Sequence, residues 1–188
     1  MPVKTKQASL TATECAVLGL LTRGPKSGYD LKKAIEHSVG YFWGPAKSQI
    51  YAVLPRLVDA GYVKSRRVAQ SPRPDKQVYR ITPRGREALK QWIEWTPAEP
   101  PPDRNPLLLK IFFGELGSTE SLLPLVRERR EEAERLKAEL NAIDEEPRDL
   151  AHDFYPRLTR RYGQLYADAV IRWAVEAERE LEETESKR

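Results

Sequence analysis

Apolar residues recur at helical spacing in both halves of this chain, and between the two the period shortens to that of a strand. In "LTATECAVLGLLTRG", Ala16, Val17, Leu20 and Leu21 fall on one stripe, with Thr11 or Thr13 available as an N-cap and Gly24 as the stop. "SGYDLKKAIEHSVG" repeats the grammar: Ser27 caps, Leu31, Ala34 and Ile35 form the apolar face, and Gly40 follows the last turn. After an aromatic connector, "YFWGP", the stretch "AKSQIYAVLPRLVDAGYV" puts Ile50, Val53, Leu54, Leu57 and Val58 on a third stripe, which Gly61 ends. Pro55 lies inside that stripe, where proline costs ~3 kcal/mol. Because the stripe continues through it, the expectation is a kink or a missing bond and not a break.

The period then changes. "YVKSRRV" and "QVYRI" are short and rich in β-branched and aromatic residues, and "AQSPRPDK" between them carries turn formers and charge, so the segment reads as a hairpin. "TPRGREALKQWIEW" follows, with Thr82 as N-cap, Pro83 at the first helical position, and Ala88, Leu89, Trp92 and Ile93 as its apolar face. Three helices, a basic hairpin and a helix are the order of a winged helix-turn-helix. "TPAEPPPDRNP" is too rich in proline for a helix interior or a central strand and reads as a stiff linker. The predicted division is a winged domain over residues 1–96, a linker over 97–106 and a second part over 107–188.

In the second part, "LLLKIFFGELGS" reads as a short apolar helix that plugs the joint between the parts, with Phe112 and Phe113 as core rather than as a platform for an aromatic ligand. From Thr119 to Ile143, Leu122, Val126, Ala133, Leu136, Leu140 and Ile143 fit an a/d seam, in which Arg129 is out of character. From Phe154 to Leu181, Leu158, Tyr162, Leu165 and Ala169 lie on one side of a helix, and Tyr166, Val170, Trp173, Ala177 and Leu181 on another. Two apolar faces need two neighbours: the preceding helix and a second copy of the chain. The predicted fold class is therefore mainly α, a winged helix-turn-helix domain joined to a helical, coiled-coil-like dimerisation domain. Leu122, Val126, Leu136, Leu140, Leu165, Tyr166, Val170 and Trp173 are the candidate dimer contacts.

Charge sharpens this picture. The 188 residues, 40% hydrophobic and 32% charged, suit a soluble globular chain, and the net charge is only +4. Residues 1–96, however, hold 17 basic against 7 acidic side chains, net +10, and the remainder 15 against 21, net −6. A polycationic half beside an anionic one points to nucleic acid as the partner of the first. No apolar run approaches the length of a bilayer span, and "MPVKTKQASL" lacks the apolar middle of a secretory signal, so the cytoplasm is expected. A single Cys, Cys15, excludes an intramolecular disulfide, and with His37 and His152 it gives no zinc-ligand spacing. Neither metal nor cofactor is expected. The chain has no Gly-rich phosphate loop, no nucleophile elbow and no paired carboxylate in a setting that would raise its pKa, so catalysis is not expected.

A helix-turn-helix lays its last helix in the major groove and offers its first turns to base edges. Here those positions are Lys47, Ser48, Gln49 and Tyr51. Gln bonds bidentately to adenine, Ser and Lys reach base edges or phosphates, and a Tyr hydroxyl donates to phosphate. Arg56, Lys64, Arg66, Arg67, Arg73 and Lys76 add positive charge along the helix and hairpin, where the backbone would run. Each basic residue by itself could be ordinary solvated charge; the cluster is what carries the reading. The alternative is a winged-helix adaptor for proteins without DNA affinity, against which the +10 argues.

The segments "VLGLLTRGPKSGYDL", "FWGPAKSQIYAVLPRLVDAGYV" and "YRITPRGREAL" resemble the PadR-like transcriptional regulators over most of residues 10–95. The long helical part after the linker resembles the subgroup with an extended C-terminal domain. The resemblance implies that Gly28 and Tyr29 open the second helix, which adds Tyr29 to the DNA-binding set, that Ser48 to Tyr51 start the recognition helix, and that the hairpin is a DNA-contacting wing. It also implies a homodimer on double-stranded DNA at near-palindromic operators, repression more than activation, and a small-molecule effector of the aromatic-acid class, for which the joint between the parts is the expected seat. The wing departs from the family pattern in its proline-rich "SPRPDK" tip.

Overall fold

The computed structural model describes residues 10–69, 75–98, 104–145 and 150–185. The chain divides into two compact units, Met1–Glu99 and Pro100–Arg188.

In the first unit, helices α1 (Ala12–Leu21), α2 (Gly28–Glu36) and α3 (Lys47–Asp59) precede strands β2 (Val63–Val68) and β3 (Lys76–Ile81) and helix α4 (Pro83–Trp95). A two-residue strand, β1 (Lys26–Ser27), is too short to leave a periodic signal in the sequence; it joins the sheet in the order β1-β3-β2, all antiparallel. The helix starts follow from their caps. Thr11 and Glu14 form a capping box on α1, and Ser27 and Asp30 another on α2. The end of α3 is a Schellman turn: Gly61, at φ 71°, donates its N–H to Val58, and the Tyr62 N–H reaches the Leu57 carbonyl. Helix α3 runs unbroken through Pro55, which deprives the Tyr51 carbonyl of its helical donor on an exposed face.

Thr82 joins the two ends of the wing segment. Its hydroxyl donates to the Gly61 carbonyl at 2.8 Å and accepts from the Gly85 N–H at 3.1 Å. Gly85 is forced by this approach, since a Cβ there would lie 2.2 Å from the Tyr62 carbonyl oxygen. Helix α1 is buried on most of its circumference, through Cys15, Val17, Leu18, Leu20 and Leu21, because α2, α3 and α4 all pack against it. Leu31, Ile35, Ile50, Leu54, Leu57, Val63 and Ile81 complete the core, and each such side chain taken from water contributes about 1.5–3 kcal/mol.

In the second unit, α5 (Pro106–Phe112) and a 3-10 turn (Gly114–Leu116) lead to α6 (Thr119–Glu145) and α7 (Leu150–Glu185). Helices α6 and α7 are antiparallel: Arg127 near the start of α6 meets Glu182 near the end of α7 at 2.6 Å, Lys137 meets Asp168 at 2.7 Å, and Asn141 meets Gln164 at 3.0 Å. Leu122, Val126, Ala133 and Leu140 are buried in the seam against Ala167 and Ala174, small side chains that let the helices approach closely. Toward the far end the seam turns polar. Arg160, buried, forks onto both carboxylate oxygens of Asp153 at 2.9 and 2.8 Å and reaches Asp144 at 3.2 Å. No residue of α5 is buried; Phe112 and Phe113 meet edge to face but are 80% and 52% exposed, and so are not the core residues that the sequence suggests.

Candidate nucleic-acid interface

The phase of the α3 stripe decides what faces out. With Ile50, Val53, Leu54 and Leu57 in the core, Lys47, Ser48, Gln49, Tyr51 and Arg56 are all exposed. Tyr51 lies with its ring against the first residue of α2: a Cβ on Gly28 would stand 2.8 Å from ring carbon Cε1. Gly28 is thus the residue that lets Tyr51 lie there, and it brings Tyr51 beside Tyr29, itself 56% exposed. The Lys47 ammonium sits 5.8 Å from the Tyr51 ring centre and Lys33 5.0 Å from that of Tyr29. Lys32, which feels both tyrosines, is held protonated above its ordinary range, chiefly by its hydrogen bond to Glu36. Two aromatic platforms with cations on them therefore form one surface from two helices.

The sheet extends it. The register sets Lys64 opposite Arg80, Arg66 opposite Val78 and Val68 opposite Lys76, all on one face of the ribbon. Like charges directly opposite each other are unfavourable without a counterion, and among the described residues Lys64, Arg66 and Arg80 have no ion-pair partner. That arrangement suits an anionic partner. Arg80 is absent from the sequence-based set; strand alternation in "QVYRI" put it on one face or the other, and only the register put it beside Lys64. The remaining cations are partly engaged. Arg67 pairs with Asp75 at 2.8 Å, Lys76 approaches Asp30 at 3.9 Å, and Arg56 approaches Glu14 at 3.5 Å. Arg73, between β2 and β3 in sequence, lies outside the described residues.

Gln49 has a second occupation. Its Oε1 accepts the N–H of Ala46 at 3.0 Å, closing the start of α3. Asp30, at the start of α2, is held below the usual carboxylate range, first by hydrogen bonds from Ser27 and then by Lys76 and Lys26. Cys15 is buried, its thiol pushed up to about 12 by that burial with help from Glu14, so it is protonated packing and not a reactive group.

The candidate dimer contacts separate into two sets. Leu122, Val126 and Leu140 are buried between α6 and α7 of the one chain, with Leu136, Val170 and Trp173 half-buried, so these have little surface to offer a second copy. Leu165 and Tyr166 are exposed, together with Phe154, Tyr155, Leu158 and Tyr162. Arg129, the odd residue of the seam, donates to the Tyr166 hydroxyl at 2.9 Å and pairs with Glu132 at 3.0 Å. A groove of about 210 Å³ beside it is lined by Pro106, Leu107, Lys110, Leu125, Glu128 and Glu132 among others. No group of three or more His, Cys, Asp or Glu suited to a metal occurs among the described residues, and no helix there is long and apolar enough to cross a membrane.

Comparison with known proteins agrees with this geometry. Residues 17–91 match the transcriptional regulator PadR-like family, and residues 104–182 match the virulence activator alpha C-terminal region. The Negative transcriptional regulator PadR of Bacillus subtilis is 34% identical over 98 residues, 52% of this chain and 54% of that protein, so the match spans about half the length of this relative. A crystal structure of B. subtilis PadR in complex with operator DNA superposes with a TM-score of 0.78 at 24% identity, over 91% of this chain and 99% of that one. A structure of the same protein in complex with p-coumaric acid gives 0.69 at 23%, over 92% and 98%. The Vibrio cholerae virulence activator AphA gives 0.71 at 28%, over 92% and 99%.

Proposed function

We propose that this chain, whose residues 17–91 match the PadR-like transcriptional regulators, is itself such a regulator, which binds a near-palindromic operator in double-stranded DNA as a homodimer and represses transcription from it. The observation that carries the reading is the exposed start of α3 flanked by Tyr29 and by the Lys64, Arg66 and Arg80 face of the sheet. The α3 side chains are of the kinds that read base edges, and the sheet cations are of the kinds that neutralise phosphates on either side. Repression is the sign favoured by the negative regulator among its relatives.

Dimerisation rests on the uncovered face of α7, where Phe154, Leu158, Tyr162 and Leu165 form an apolar stripe larger than scattered surface residues explain. A small aromatic acid is the proposed effector class, by likeness to a neighbour bound to p-coumaric acid; its contact residues are not assigned. The cytoplasm is the proposed place of work.

Selection of tight-binding duplexes from a random pool, followed by titration of the winner and of unrelated DNA, tests the reading. The expected outcome is a two-fold symmetric site bound about 10³-fold or more tighter than unrelated DNA at physiological salt. Equal affinity for both would overturn it.

A further inference from the structure

Of helices α1 to α4, the proposed recognition helix is the one that starts without a capping side chain at its N-cap. Helices α1, α2 and α4 begin on Thr11, Ser27 and Thr82, each accepting a backbone N–H of its own first turn. Helix α3 begins on Ala46, whose side chain can accept nothing, and the Ala46 N–H is satisfied instead by Oε1 of Gln49. That oxygen is half of the adenine-reading fork. Bidentate recognition needs the Gln carbonyl oxygen to accept from the base N6 amino group while the side-chain NH₂ donates to N7. In the free protein the oxygen is turned back onto the helix.

We propose that Gln49 is a two-position reader, latched to the Ala46 N–H in the free protein and released by the correct base pair, so that Ala46 is a positioning residue for sequence preference. The proposal rests on the base-reading role of Gln49 argued above. Its chemistry explains the residue types. A Glu at position 49 would close the latch at least as well, but it has no N–H for adenine N7. The latch is exposed and therefore weak. DNA that presents no adenine at the right place offers nothing better, and Gln49 stays latched; the right site exchanges one hydrogen bond for two.

The test removes the latch without touching the reader. Ala46 has φ −57°, which proline adopts, so Ala46→Pro deletes the N–H alone. In the full-length protein, Ala46→Pro is expected to bind the duplex selected from a random pool about two- to fivefold tighter, with binding to unrelated DNA unchanged. Ala46→Gly, which keeps the N–H, is expected to match wild type. A folded Ala46→Pro with wild-type affinity for the selected duplex overturns the latch.

Should Ala46→Pro melt early, wild type decides. A nuclear Overhauser contact between the Gln49 side-chain amide and the Ala46 amide is expected in the free protein and on unrelated DNA, and should vanish on the selected duplex. Its persistence there overturns the proposal. The two readings separate on Gln49→Ala. If that variant loses base preference while Ala46→Pro is neutral, the latch alone fails; if it keeps its preference, the base-reading role fails and takes the latch with it.

Discussion

On the proposed operator-binding reading, Gln49 and Lys64 are both exposed polar residues of one interface, yet they should fail differently. Gln49→Ala removes a base contact and a cap together, so about 1–3 kcal/mol of discrimination is expected to go at one base pair in each half-site, with a small loss of stability from the cap. Lys64→Ala removes a phosphate contact: affinity should fall for every sequence alike, and the salt slope should drop by about one unit. Titrations of selected and unrelated DNA at several salt concentrations check both. Gly28 gives a sharper test. A methyl there meets the Tyr51 ring, which is half-exposed and can swing, so Gly28→Ala should leave melting within a few degrees while weakening DNA binding about tenfold through the displaced Tyr51. Gly28→Ala combined with Tyr51→Ala should then be no worse than Tyr51→Ala alone. That Lys47, Ser48, Gln49 and Tyr51 face solvent is legible from the phase of the apolar stripe. The need for glycine at position 28 is not, because it comes from a ring 23 positions further along. The Gln49 latch is hidden likewise, since Ala46 carries none of the usual cap chemistry.

Among elements, those with strong local signals were the readable ones. Thr11, Ser27 and Thr82 announce α1, α2 and α4 because each hydroxyl has a short-range partner, and the heptad stripe along the 27 residues of α6 shows in the sequence without tertiary help. Strand β1 left no trace, because two residues have no period and owe their pairing to β3. The polar end of the α6–α7 seam is invisible for a different reason: Arg160 reads as surface charge until the antiparallel register brings Asp144 of α6 to it, beside Asp153 two turns back on its own helix, while Gln164 bonds the same Asp144. Arg160 is held protonated, first by its hydrogen bonds to Asp153 and against its own desolvation. Removing it takes the forked cation from a buried carboxylate, so Arg160→Ala should cost about 3 kcal/mol in urea unfolding. Arg160→Lys keeps the charge but loses the fork, and should recover part of that. Acid should also weaken the start of α2. The Asp30 carboxyl is depressed in the folded state, so its contribution is complete above an unfolded pKa of about 3.9 and disappears as pH falls through the folded value. Melting temperature should accordingly fall on acidification below about pH 4, and fall less steeply in Asp30→Asn.

For the molecule as a whole, the charge split and the uncovered face of α7 pose one problem. A single winged unit of this size makes phosphate contacts enough for non-specific binding, ~10⁻⁴ to 10⁻⁶ M at physiological salt, but sequence-specific binding at an operator needs two recognition helices about 34 Å apart on one side of the duplex. Something has to hold that spacing. The seam of α6, whose Leu122, Val126 and Leu140 the sequence reading also names as dimer contacts, is occupied by α7 of the same chain. In the proposed dimer a second copy would therefore use what is left, and Leu158, Tyr162 and Leu165 are about half exposed or more on α7. Charging that stripe separates the two roles. Leu158→Glu with Leu165→Glu should leave the hairpin folded, since neither residue is in the α6–α7 seam, and should yield a monomer by sedimentation. Val126→Glu, by contrast, puts a carboxylate into the closed seam and should unfold the hairpin itself. The monomeric double variant is expected to retain salt-dependent binding to any DNA and to lose the preference for the symmetric site. A double variant that still sediments as a dimer would move the interface off this face of α7, and a monomer that still binds the symmetric site with full affinity would remove dimerisation from the mechanism.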